Sequence, residues 1–150
     1  MEEILIEILS EFKKAEYKIH VLHTSMQGDA FLSYHPFLGD VYKFIQEQDD
    51  EIMENIEQLG YNVPINLSEI IKEEKWEDED SIIELQSQIP NVQEQLQLVE
   101  NTLMTLKNIL QQWILTAGME NDYVIQNNLI EYQKQIRIFE RKNRRVMGKK

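Results

Sequence analysis

HTSMQGDAFLSYHPFLGDVYKFIQEQDDEIMENIEQLGYNVP, residues 23–64, is the stretch whose reading decides the fold. Two histidines, His23 and His35, stand twelve positions apart across Gly28, and Asp50 and Glu54 follow at i, i+4 spacing. Val41, Phe44, Ile45, Ile52 and Met53 recur at three- and four-residue intervals, the period of an amphipathic helix. On such a helix Asp50 and Glu54 share one face, a turn apart. Imidazoles combined with carboxylates suit a borderline transition ion such as Fe(II) or Zn(II), whereas calcium or magnesium calls for oxygen donors alone.

One chain cannot close this site. His35 precedes Asp50 by fifteen residues, and at about 1.5 Å per residue roughly 22 Å of helix separates them. If Gly28 and Asp29 turn the chain, a first helix folds back beside the second and His23 arrives level with His35. Half a site then stands at each end of the hairpin. A two-fold pair of antiparallel chains would bring each histidine half against its neighbour's carboxylate half, as C2 symmetry allows.

Working outward, the chain divides into four long helices and one short one. The first, about 2–27, places Ile4, Leu5, Ile8, Leu9, Phe12, Ala15, Ile19 and Leu22 on one stripe. The second runs from about Tyr34 to Leu59 and stops at Gly60, a residue suited to a helix C-terminus. Asn66 or Ser68 is placed to cap a short helix through Ile71, and the acidic run 73–80 separates the two halves. The third helix, about Ser81 to Thr116, must bend or start late at Pro90, with Ala117 and Gly118 ending it. The fourth, about Asp122 to Arg145, offers Val124, Ile125, Leu129, Ile130, Ile136 and Phe139 to the core. The fold class is all-α: a four-helix bundle with a short extra helix in the long connection between helices two and three, a crossover of the kind ferritin-like bundles use.

Composition agrees. A chain of 150 residues is one domain by the usual prior, 1–150, large enough to bury roughly two-thirds of its unfolded surface. Five Gly, three Pro and no Cys favour helices and leave neither disulfides nor thiolate metal sites. The start, MEEILIEILSEFKK, is amphipathic and acidic, unlike a secretory leader. No apolar run approaches the roughly 18 residues a membrane span needs. A soluble, cytoplasmic protein without membrane contact is the expectation.

The residues now carry a family resemblance. His23, Gly28, Phe31 and His35, then Asp50-x-x-x-Glu54, then GluGlnLeuGly at 57–60 and Pro64, resemble the signature of the Dps proteins, ferritin-like miniferritins named as DNA-binding proteins from starved cells. The detailed match covers about residues 16–64. The resemblance implies an iron-oxidising, iron-storing protein whose ferroxidase centre is shared by two subunits. His23 and His35 would bind iron from one, and Asp50 and Glu54 from the other. It implies Fe(II) and hydrogen peroxide as substrates, a mono- or di-iron centre in which Zn can substitute, and a homo-oligomeric hollow shell, a dodecamer built from two-fold dimers.

This chain departs from the family pattern twice. Gly39 stands where the family has an aspartate, with Asp40 beside it as a candidate replacement ligand. Thr24 stands where a tryptophan is common. His20 reads as an ordinary solvated or packed histidine, Glu47, Asp49 and Glu51 as a charged helix face, Tyr17 and Trp113 as packing residues, and the methionines as core or interface filler.

Two other classes stand beside this one. A ferritin or bacterioferritin centre inside one bundle needs Glu-x-x-His, but Tyr17, His20 and Leu32 stand three residues before the histidines. A helical structural or nucleoid-associated shell protein with a weakened metal site is the alternative that Gly39 supports. DNA is a candidate partner through the basic run 141–150, with a tail at about 142–150. That run has six basic residues and no acidic one, so it could neutralise phosphates without reading sequence. A net charge of −12 weighs against it, as does the dipole benefit of cations at a helix end.

Overall fold

The computed structural model describes residues 2–28, 31–71 and 91–149. These form α1 (Glu2–Ser25), α2 (Phe31–Gln58), α3 (Leu67–Ile70), α4 (Val92–Met119) and α5 (Tyr123–Val146), with no strand among the described residues. The acidic run at 73–80 and the stretch 81–90 lie outside them.

The apolar stripes determine how the helices pair. All eight positions expected on α1 are buried, together with Leu38, Val41, Ile45, Ile52 and Ile56 of α2, Leu96, Val99, Leu103, Leu106 and Leu110 of α4, and Ile125, Leu129, Ile136 and Phe139 of α5. Lys13 meets Asp49 and His23 meets His35, so α1 and α2 run antiparallel. Lys107 meets Glu140 and Ile114 meets Gln126, so α4 and α5 do the same. Tyr34 at the start of α2 donates to Asn143 near the end of α5, at 2.6 Å. Helices α2 and α4 therefore point the same way, and the chain must travel the length of the bundle between them. That long crossover holds α3, which lies against α1.

Helix ends follow local chemistry. Gly60 takes φ +86°, and Tyr61 and Gly60 donate to Ile56 and Glu57, a Schellman closure that stops α2. Helix α4 does start late: the Asn91 side chain accepts from the Glu94 N–H at 2.9 Å and donates to the Glu94 carboxylate at 2.6 Å. Asp122 caps α5 through the Ile125 N–H.

Several expectations need correction. Helix α2 begins at Phe31 rather than Tyr34, so Pro36 falls inside it. It is tolerated near the N-terminus, where it removes only one backbone bond. Helix α4 continues past Thr116 to Met119, with Gly118 inside it. A side chain at Gly118 would run into the Gln126 amide, which reaches across to the Ile114 carbonyl. Asn66 is the N-cap of α3 but makes no side-chain cap bond. Val124 is exposed, since its neighbour Ile125 takes the inward position.

Candidate metal centre

Gly28, at φ +88°, lets the chain reverse direction after α1, and the Phe31 N–H closes the turn onto its carbonyl at 3.1 Å. A β-carbon would strain that left-handed backbone. The reversal sets α1 and α2 side by side with the two histidines level. Their imidazoles stack with centroids 4.0 Å apart and planes 14° from parallel, and Phe31 stacks on the other face of His35 at 4.5 Å.

Nδ1 of His35 lies 2.9 Å from the His23 carbonyl oxygen. A carbonyl can only accept, so Nδ1 carries the proton and Nε2 keeps its lone pair. That is how a backbone group prepares a histidine to bind a metal. Burial, reinforced by the neighbouring His35 and His20, holds His23 below the usual histidine value. It is therefore neutral near pH 7, the form that can donate to a metal.

Gly39 lies directly beneath His23. A Cβ built on it would stand 3.2 Å from His23 Nε2. The position where this chain lacks a carboxylate is thus the one that faces the imidazole. Asp40, one residue on, turns away into the groove between α2 and α5, because successive helical residues differ in direction by about 100°. It does not replace the missing carboxylate within its own chain.

Asp50 and Glu54 are exposed on α2, roughly 22 Å of helix from His35. The fold brings His23 and His35 together but leaves the carboxylates apart from them. Among the described residues no three His, Cys, Asp or Glu side chains gather around one point.

The charged face assigned to α2 hides a different feature. Asp49 is only 2 % exposed, and its carboxylate faces Lys13 at 3.3 Å on α1. Burial and the adjacent Glu16 push its pKa up to about 8, against the opposing pull of Lys13. His20 is exposed and stacks on Tyr42 at 4.4 Å. A polar seam therefore lies along α1 and α2 between the two half-sites. No periodicity signals it, because each member meets its partner on another helix.

The fold and the half-site geometry can now be set beside known proteins. No protein-family model matches the chain. The DNA protection during starvation protein of Listeria monocytogenes is 29 % identical over 120 residues, covering 79 % of this chain and 73 % of that protein. The chain is therefore similar to proteins of the Dps family over most of its length. The X-ray structure of Dps from Listeria monocytogenes superposes with a TM-score of 0.84 over 99 % of this chain and 93 % of that one, at 24 % identity. A zinc-soaked structure of Dps from Listeria innocua gives 0.83 over 99 % and 96 %, at 22 % identity. The bundle is ferritin-like, as its crossover requires.

Proposed function

We propose that this protein is a Dps-type ferroxidase whose active centre is completed only when two copies meet. The observation that carries this reading is the division of donors: a stacked histidine pair at one end of the α1–α2 hairpin and an exposed carboxylate pair at the other. Neither half suffices for an ion that wants four or more ligands. A two-fold partner would supply the missing half to each, making two equivalent centres.

The surface around both halves supports such an interface. Leu32, one turn before His35, is 85 % exposed, and Val21, two residues before His23 on α1, is also exposed. Near the carboxylate end, Ile65 is fully exposed, with Leu67 close by. Apolar groups at both ends would be covered together by an isologous contact.

Fe(II) is the substrate in this reading. His23 and His35 bind it through imidazole nitrogen, while Asp50 and Glu54 of a second copy supply negative charge that favours the more highly charged oxidised ion. Each of two Fe(II) ions gives up one electron, and hydrogen peroxide with two protons becomes two waters. Iron and peroxide are thereby removed together, and ferric product collects inside a shell of twelve subunits. Zinc is a competing ion, in keeping with the zinc-soaked relative. A reducing cytoplasm is the setting the cysteine-free chain suits, and among the described residues no helix is long and apolar enough to cross a membrane.

We read protection here as removal of iron and peroxide rather than as DNA binding. Residues 142–146 finish α5, and Arg144 and Lys149 pair with buried Glu100 at 2.8 and 3.5 Å, so this part of the basic run lies on the bundle. Anaerobic Fe(II) titration of the purified chain, followed by peroxide, tests the proposal. Saturable Fe(II) binding and peroxide consumption in proportion to iron are expected. Absence of both would sink it.

A further inference from the structure

A second concave feature lies away from the histidine pair. It is a groove of about 670 Å³ between α2 and α5. Its floor is aromatic: Phe44 and Phe139 meet edge to face at 5.5 Å, and Tyr132 lies beside them. Its walls carry Asp40, Glu47 and Glu51 from α2 and Glu131 from α5, against one cation, Lys43.

Two buried polar atoms in this groove lack hydrogen-bond partners. They are the side-chain oxygen of Gln48 and the hydroxyl of Tyr132. Tyr132 is 4 % exposed. Its hydroxyl is turned toward Glu51, which adds to burial in raising its pKa, but it has no partner in hydrogen-bonding geometry. The Gln48 oxygen can only accept and the Tyr132 oxygen can accept as well as donate; leaving such buried atoms unsatisfied is costly, and an occupant that donates hydrogen bonds satisfies both.

The distribution of charge selects the shape of that occupant. No three acidic groups among the described residues converge on one point, so an inorganic ion has no cage here. The carboxylates are instead strung along the groove. Asp40 to Glu51 spans eleven residues, or about 16 Å of helix. We propose that the α2–α5 groove binds a linear aliphatic polyamine. Its ammonium groups pair with Glu47, Glu51 and Glu131 and donate to Gln48 and Tyr132, while its methylenes and charge lie over Phe44 and Phe139. Charge-assisted hydrogen bonds and cation–π contact are the interactions this lining offers. The proposal is independent of the metal reading.

Isothermal titration of the full-length, chelator-treated protein with spermidine, n-butylamine and Mg²⁺ tests it. Spermidine should bind saturably and at least tenfold more tightly than either of the others. Glu47→Gln with Glu51→Gln should weaken it at least tenfold, and Tyr132→Phe should weaken it several-fold. Gln48→Met provides a second removal of an orphan acceptor should Tyr132→Phe not fold. Mg²⁺ binding as tightly as spermidine would overturn the proposal in favour of simple counterion attraction. So would unchanged spermidine binding in the double variant, or no binding at all.

Discussion

At position 39 a single missing side chain sets the chemistry of the histidine half. The Cβ position at Gly39 faces His23 Nε2, so Gly39→Asp delivers a carboxylate to the place where this chain presents only backbone. Fe(II) affinity should rise by about tenfold, the effect of roughly 1.4 kcal/mol, measured by anaerobic titration. Weaker binding would mean that the new side chain displaces the His23 ring. Asp49 makes a second prediction. Its pKa is raised from 3.8 to about 8 in the folded state, so the folded protein holds a proton that the unfolded chain releases. The associated stability is fully present below the unfolded value and is lost as pH rises through about 8. Denaturant unfolding should show stability falling between about pH 4 and pH 8 by up to about 1.4 kcal/mol per pH unit, and levelling off above that. Asp49→Asn should flatten that fall, and an equal slope in the variant would place its origin elsewhere.

Among the elements, α5 is held by a residue that its own sequence pattern does not mark. Asn143 is wholly buried, accepting from Tyr34 of α2 and donating to the Leu96 carbonyl of α4 at 3.0 Å. Asn143→Leu strands both partners and should cost about 2–4 kcal/mol in urea unfolding. A loss below about 1 kcal/mol would show that the ends of these helices are not coupled. This case also separates what was legible from what was not. The apolar stripes of α1 and α2 can be read because each helix buries residues at its own period, and the histidine and carboxylate spacings can be read for the same reason. Asn143, Asp49 and the α2–α5 groove could not be, because each depends on a neighbour supplied by a distant part of the chain. The early start of α2 was hidden by Pro36, which normally marks a first turn and here stands just beyond it. Gly39 was visible as a departure, but that it faces His23 rather than solvent required the helices to be in place.

For the whole molecule, the proposed centre is one that no single copy completes. The bundle sets two histidines at one end of a hairpin and two carboxylates about 22 Å along the helix, and only a second copy can bring those ends together. The most direct measurement uses His23→Ala and Asp50→Ala, made separately and then co-assembled, with native mass confirming mixed assemblies. Each variant alone should lose most peroxide-dependent Fe(II) oxidation. Random mixing makes half of the pairs heterodimers, each with one intact centre of two, so about a quarter of the parent activity should return. Confirmed mixed assemblies with no recovered activity would contradict the account, because each chain would then have to build its centre alone.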